Sequence, residues 1–149
     1  DDAKLEFDHV HIISEDPDAA AAWYRDVLGG EIVSSHLTRN APKSASLSAP
    51  HHPDPGPKAG ILIRGRRPGE NPGAKNDLQE FADYVSHNQW GTDHFGFSVA
   101  GDLGALCAAL KAKGAEFSVE PYNFLPGRTI AYLKAPDGVT VELTEAAAY

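Results

Sequence analysis

The 149-residue sequence contains no methionine and only one cysteine, Cys107. A single cysteine excludes an intrachain disulfide framework, so the cysteine content does not identify the redox compartment of the protein. Cys107 lies in the apolar run ALCAAL, which favours a buried small side chain over a reactive thiol. The absence of methionine indicates that an initiator was removed or a leader was cleaved, and no signal peptide is visible in the sequence. Localisation is therefore unknown, with the cytoplasm as the default expectation.

Basic residues are scarce as well, because 13 Lys and Arg are set against 21 Asp and Glu, for a net charge of −8. This balance opposes non-specific binding to nucleic acid or to an anionic membrane. No stretch approaches the roughly 18 apolar residues that cross a bilayer. Hydrophobic residues nevertheless make up 42% of the chain, which is enough for one globular domain with a core. We expect a small-molecule partner rather than nucleic acid or membrane.

The stretch FDHVHIISEDPD, residues 7–18, places two histidines one residue apart in an alternating pattern. Side chains of a β-strand point alternately to its two faces, so His9 and His11 are expected on the same face. Such a pair is either a structural feature of the strand or part of a binding site.

The same strand pattern recurs 85 residues further along the chain, where FDHVHIISED aligns with TDHFGFSVAG and His9 aligns with His94. His11 aligns with Gly96, and further on Gly29 aligns with Gly114 without a gap. A unit of strand, helix and further strands is therefore predicted to be duplicated.

Helix caps support the two copies. Asp16 is placed to cap the helix DAAAAWYRDVL, which Gly29 and Gly30 end. Asp102 has the same place before the helix of the second copy, and lysines followed by Gly114 end that helix.

Each copy is expected to continue with strands. In the second copy, residues 129–134 and 139–145 form a hairpin around the turn Pro-Asp-Gly. In the first copy, SASLSA is a short strand and AGILIRG is the closing strand. Matching Gly60 to Gly138 then gives Arg64 the position of Glu142. A short helix is expected over residues 78–86, in the link between the copies.

The doubled pattern, with DHVHI, DHFGF and APDGVTVEL, resembles the vicinal oxygen chelate superfamily, which includes glyoxalases, bleomycin-binding proteins and extradiol dioxygenases. The resemblance implies an α+β fold in which two tandem βαβββ modules form an incomplete, curved mixed sheet around a metal site. It implies one domain over residues 1–149, with module 1 at about 5–67, a linker at about 68–91 and module 2 at about 92–149. It also implies a homodimer, since incomplete sheets of this kind pair their edges.

By the same resemblance, one divalent metal ion is bound by His9, His94 and Glu142. Two imidazoles and one carboxylate form a facial triad that leaves neighbouring positions open for a substrate and for water or dioxygen. Fe2+ is favoured, with Mn2+, Ni2+, Co2+ and Zn2+ as alternatives.

Four further residues are candidates near this site. His11 is a base or a hydrogen-bond partner of the substrate, or else a structural residue. Tyr132 resembles the tyrosine that extradiol dioxygenases, and fosfomycin-modifying enzymes too, carry ten residues before the ligand glutamate, and its alternative is an aromatic side chain packed in the hairpin. Arg64 either binds a substrate carboxylate or is an outward-facing charge, and a register shifted by one residue would point Ile63 to the site instead. Arg128, after FLPG, is a second candidate for anion binding.

Three functions compete on these residues. The favoured one is an iron(II) dioxygenase that acts on a small, vicinally oxygenated substrate. A glyoxalase-like lyase or isomerase is the alternative, and the lack of an evident glutamate base counts against it. The third is a protein that binds an antibiotic or metabolite, and the retained metal triad counts against this one. No recognisable site for glutathione or coenzyme A is present in the sequence.

Overall fold

The computed structural model describes four stretches of the chain, residues 9–36, 44–48, 60–73 and 91–145. The helix expected over residues 78–86 lies outside them. The chain divides into two compact units, residues 1–74 and 75–149. Each unit is described by itself below.

Both units have the element order βαβββ. The first contains β1 (His9–Ser14), α1 (Pro17–Leu28), β2 (Glu31–His36), β3 (Ser44–Ser48) and β4 (Gly60–Gly65). The second contains β5 (Phe95–Val99), α2 (Leu103–Ala112), β6 (Phe117–Leu125), β7 (Arg128–Lys134) and β8 (Thr140–Glu145). The predicted α+β fold of two tandem βαβββ modules is therefore confirmed.

Each unit folds its four strands into one mixed sheet. The strand orders are β1-β4-β3-β2 and β5-β8-β7-β6. The pairs β1–β4 and β5–β8 are parallel, and the other neighbouring strands are antiparallel. No helix in the described part of the chain is long and apolar enough to cross a bilayer.

Helix α1 begins and ends where the sequence predicts. The Asp16 carboxylate accepts a hydrogen bond from the backbone N–H of Ala19 at 3.0 Å. Pro17 occupies the first turn, where its missing N–H removes no helical hydrogen bond. Gly29 ends the helix in the left-handed conformation, with φ 73°, and its N–H donates to the Arg25 carbonyl. These caps fix where the chain leaves β1 to form α1 and where it leaves α1 to enter β2.

Helix α2 repeats this arrangement in the second unit. Asp102 caps it by accepting a hydrogen bond from the backbone N–H of Ala105 at 3.0 Å. Its buried side comprises Leu103, Cys107 and Leu110, all at most 3% exposed. The interpretation of Cys107 as a buried small side chain is thus confirmed.

In each sheet, one face packs against the helix of the unit, and the candidate site residues lie on the opposite face. On the helix face of the first unit, Ile12, Ile61 and Ile63 are at most 7% exposed, and α1 contacts β1 and β4. The intervening residues His9 and His11 point to the opposite face. The same alternation in the second unit buries Val141 and Leu143 and turns Glu142 and Thr144 the other way.

The predicted hairpin β7–β8 turns at Pro136–Gly138. Asp137 and Gly138 both have positive φ values, 62° and 74°, which suits a tight turn between antiparallel strands. The N–H of Ala135 donates to the carbonyl of Val139 at 2.9 Å and closes the turn. This hairpin sets the register that places Tyr132 beside Glu142.

The register predicted between the two modules is wrong by two residues. In the parallel pairs, His11 lies opposite Leu62, whereas its counterpart Gly96 lies opposite Glu142. Leu62, and not Arg64, therefore holds the position in the first unit that Glu142 holds in the second. Since the shift is even, Arg64 still lies on the face that was predicted for it.

Candidate metal centre

The second unit brings two of the three predicted metal ligands into contact. The Nε2 atom of His94 lies 3.0 Å from the Oε2 atom of Glu142. His94 immediately precedes β5, and Glu142 lies on the neighbouring strand β8. Both side chains are about one-fifth exposed, so they are partly shielded from water yet open to a ligand. The contact joins residues 48 positions apart, which only the parallel pairing of β5 with β8 makes possible.

Asp93 fixes the orientation of the His94 ring. Its Oδ2 atom lies 2.6 Å from Nδ1 of His94. Because a carboxylate oxygen only accepts, Nδ1 must carry the proton and donate it. Nε2 is then the nitrogen that faces Glu142. A carboxylate behind a histidine in this way is the usual outer support of a metal-binding imidazole, because it sets both the tautomer and the ring orientation.

The donor set fits a divalent metal. A carboxylate oxygen and an imidazole nitrogen that face each other at 3.0 Å need a cation at their side, either a proton or a metal ion. Two ligand atoms at right angles, each about 2.1 Å from an ion, would be about 3.0 Å apart. His94 and Glu142 would therefore be able to serve as two neighbouring ligands of one divalent ion. Within the described stretches, no group of three His, Cys, Asp or Glu side chains comes together as a metal cluster.

Tyr132 packs directly against this pair. Its ring centroid lies 4.8 Å from that of His94, at an interplanar angle of 43°. Tyr132 is opposite Glu142 in the antiparallel pair β7–β8, and it is 1% exposed. It also belongs to a small core cluster with Val119 and Ile130. The ring therefore has a packing role, and it lies beside His94 and opposite Glu142.

Gly96 allows β8 to approach closely enough for this geometry. A Cβ atom at position 96 would lie 2.9 Å from the backbone oxygen of Glu142 and 3.0 Å from its Cβ. Real Cβ atoms are not found so close to a backbone oxygen, so any side chain would push β8 away. Gly96, which aligns with His11 in the duplicated pattern, is thus needed for the close approach of β5 to β8 at Glu142.

In the first unit, His9, His11 and Arg64 share the sheet face opposite α1. His9 and His11 are exposed, and they lie opposite Gly60 and Leu62 on β4. Partial desolvation of the His11 ring lowers its pKa from the usual value, and the nearby positive charge of Arg64 lowers it further. The shift favours the neutral imidazole, the form that can accept a proton. The predicted side of the sheet is correct for all three residues.

Arg64 is already held by a carboxylate within this unit. Its Nη1 atom lies 2.7 Å from Oε2 of Glu70 and 3.1 Å from the carbonyl oxygen of Gly65. The Arg64 side chain is 15% exposed, so the guanidinium is partly buried and not an outward-facing surface charge.

Arg128 lies apart from the His94 pair. It begins β7 and is half-buried, on the same face as Tyr132 but four residues away. At about 3.3 Å per residue, that separation is about 13 Å along the strand. A cavity of about 390 Å³ in the first unit is lined by other residues, Ser14, Glu15, Pro17, Gly65 and Arg66.

Asp93 is a residue of this candidate site that the sequence analysis did not single out. The signal was the repeated dipeptide Asp-His, which occurs at residues 8–9 and again at 93–94. Neighbouring residues of a regular strand point to opposite faces, so strand alternation does not predict a contact between a histidine and the carboxylate next to it. Asp93 and His94 both precede the first residue of β5, where this alternation does not apply.

Comparison with known proteins places this architecture in a family. The sequence model described as the glyoxalase/bleomycin resistance protein/dioxygenase superfamily matches residues 6–143. No curated protein matches the sequence.

Several solved structures share the fold at low sequence identity. A glyoxylase/bleomycin resistance protein/dioxygenase domain from Frankia sp. EAN1pec is 21% identical, with a TM-score of 0.71 and coverage of 99% of this chain and 96% of that one. The antibiotic-binding protein TnmS3 from Streptomyces sp. CB03234 is 18% identical, with a TM-score of 0.65 and coverage of 99% and 100%. The fosfomycin resistance protein FosX from Listeria monocytogenes, solved with Mn(II) and sulfate, is 15% identical, with a TM-score of 0.59 and coverage of 98% and 96%.

Proposed function

Because the chain belongs to the glyoxalase/bleomycin resistance protein/dioxygenase superfamily, we propose that it is a metal-dependent enzyme acting on a small molecule with two adjacent oxygen atoms. The observation that carries this proposal is the 3.0 Å approach of His94 Nε2 to Glu142 Oε2, with Asp93 behind the histidine. Metal-binding imidazoles usually donate their outer N–H to a partner of this kind, which supports the proposal.

His94 and Glu142 are proposed as two of the metal ligands. His9 is proposed as the third, because the duplicated sequence pattern aligns it with His94. Iron(II) is the favoured metal, since two imidazoles and one carboxylate are the ligands of non-haem iron oxygenases. When bound, the metal would polarise the adjacent oxygens of the substrate and supply the redox chemistry with dioxygen.

The surrounding side chains are proposed to bind and protonate the substrate. The Tyr132 hydroxyl, buried beside both ligand candidates, would donate a hydrogen bond to a substrate oxygen. His11, on the same face as His9, would accept the proton of a substrate hydroxyl. Arg128, about 13 Å along the strand from Tyr132, stays a prediction as a contact for a distant part of the substrate.

A dioxygenase is proposed rather than a glyoxalase-like isomerase. The isomerase reaction needs a base that moves a proton between the two carbons, and a second carboxylate is the natural residue for that role. In the first unit, the position equivalent to Glu142 is held by Leu62, which neither binds a metal nor accepts a proton.

Oxygen uptake distinguishes the two reactions. Protein loaded with iron(II) under nitrogen and then mixed with catechol should consume dioxygen once air is admitted, and it should consume none without the diol. Tyr132→Phe should keep its iron and lose about 100-fold or more in turnover, as is typical when a hydrogen-bond donor to a developing charge is removed.

Two results would contradict the proposal. Turnover of a methylglyoxal–thiol adduct under nitrogen, supported equally by nickel, cobalt or zinc, would establish an isomerase. Tight binding of small molecules to metal-free protein, without turnover of either substrate, would establish a binding protein.

A further inference from the structure

We propose that Arg64 recognises a carboxylate group of the substrate and that Glu70 is the positioning residue that holds the Arg64 guanidinium in place. This inference rests on the proposed function and names the class of its substrate, a carboxylated small molecule. Three observations in the first unit support it: the face on which Arg64 lies, the turn that carries Glu70, and the side of the guanidinium that Glu70 leaves open.

Arg64 lies on the face of the sheet that would receive the substrate. It is opposite Ile13 in the parallel pair β1–β4, and it therefore points to the same side as His9 and His11. Helix α1 covers the other side. A cation beside two imidazoles is suited to an anionic ligand.

A tight turn brings Glu70 back to Arg64. The turn runs over residues 67–70, with Pro68 second and Gly69 third, and the φ value of Gly69 is 84°. Proline followed by a residue with positive φ is the pattern of a type II turn, and the N–H of Glu70 donates to the Arg67 carbonyl at 3.1 Å. The Glu70 carboxylate then accepts two hydrogen bonds on one oxygen, from the Arg67 N–H at 2.9 Å and from Arg64 Nη1 at 2.7 Å.

These bonds hold one side of the guanidinium and leave the other side for a ligand. Within the described stretches, the bonds of the Arg64 guanidinium to Glu70 and Gly65 are all made by Nη1. Arginine binds carboxylates best through two parallel N–H groups, which the Nε and Nη2 side can still provide. Hydrogen bonding from Arg64, and next from the Arg67 N–H, keeps the pKa of Glu70 below its usual value, so Glu70 is charged at neutral pH.

Two probes that differ only in a carboxylate test the recognition. Binding of 3,4-dihydroxybenzoate and of catechol is measured by calorimetry under nitrogen, on the full chain with and without added Fe2+. We expect the wild-type chain to prefer the carboxylated probe. Arg64→Gln should weaken binding of that probe about tenfold or more and leave catechol binding unchanged, because only a charge-assisted partner is lost. Arg66→Gln, the same charge change at an exposed neighbour, is the matched control and should bind both probes normally.

Substitution of Glu70 separates positioning from mere charge neutralisation. Glu70→Ala removes a negative charge next to Arg64, so simple electrostatics predicts stronger binding of the carboxylated probe. Loss of the holding contact predicts the opposite, a several-fold weaker binding. Glu70→Gln keeps an oxygen that can accept from both Arg64 and Arg67, and it should retain the preference for the carboxylated probe.

Three outcomes would overturn the inference: unchanged discrimination in Arg64→Gln, an equal loss in Arg66→Gln, or stronger binding of the carboxylated probe by Glu70→Ala. The proposed function fails separately. If discrimination depends on Arg64 in metal-free protein while no divalent metal binds, the anion site stands and the enzyme proposal is wrong. If metal binds normally while the two probes bind equally well, the anion site is wrong and the proposed metal site stands.

Discussion

The carboxylate of Asp93 orients the His94 ring through a 2.6 Å contact at Nδ1. We predict that Asp93→Asn lowers metal affinity about 10- to 100-fold, the usual effect of losing such a support. The measurement is competition with a chromogenic chelator. Asp102→Asn is the control, since it makes the same charge change at a helix cap where asparagine caps as well as aspartate. Equal affinities for the Asp93 variant and the wild type would remove the role assigned to Asp93.

Cys107 gives the chain a pH dependence that has nothing to do with the metal. Burial, assisted by the charge of Glu120, raises the pKa of the Cys107 thiol to about 11 from 9.0. Between pH 9 and pH 11 the Cys107 thiol therefore stays protonated in the folded state and loses its proton in the unfolded state. The contribution of Cys107 to the free energy of unfolding is full below pH 9 and decreases between pH 9 and 11.

Urea unfolding at pH 8 and pH 10 measures this effect. We expect the wild type to lose more free energy of unfolding between the two pH values than Cys107→Ala, by at most about 1.4 kcal/mol per pH unit. The alanine variant is less stable at both pH values, so the comparison uses the slopes. Identical slopes would mean that the thiol titrates normally in the folded chain.

Helices, caps and strand faces were predictable because each depends on local sequence. Asp16 and Asp102 cap the two helices by hydrogen bonds that span three residues, and the alternation of residues 9–14 fixes which side chains face α1. The pairing of β1 with β4 was not predictable to the residue. A slip of two residues leaves every side chain on its own face, so hydrophobic alternation does not distinguish Leu62 from Arg64 as the counterpart of Glu142.

The closeness of β5 and β8 makes Gly96 a test of whether strand spacing sets the ligand geometry. Gly96→Ala would place its Cβ 2.9 Å from the Glu142 backbone oxygen, so β8 must move. We predict a loss of about 1–3 kcal/mol in stability, as for other overpacked sites, together with weaker metal binding. Chemical denaturation and metal titration measure the two effects.

Gly73→Ala is the control for the glycine itself, because a Cβ there meets no atom within 4 Å. Normal metal affinity in Gly96→Ala would mean that Glu142 tolerates movement of the strand, and the account of Gly96 would then be wrong.

Among the described strands, β1 and β2 are the outer strands of the first sheet, and β5 and β6 are the outer strands of the second. Open edges are a liability that proteins usually cover. We predict a homodimer, with a molar mass twice that of the 15.9 kDa chain in light scattering at micromolar concentration. A monomer under these conditions would exclude the dimer and leave the metal site untouched.

The metal content of the protein tests whether it binds one divalent metal ion through His9, His94 and Glu142. Protein purified without chelators or nickel resin should contain about one divalent metal ion per chain by elemental analysis, as one facial triad requires. Glu142→Gln should lose that metal while its circular dichroism stays unchanged, and Glu116→Gln, the same change at an exposed glutamate, should keep it. Full metal occupancy in Glu142→Gln would contradict the assignment of His9, His94 and Glu142 as the ligands.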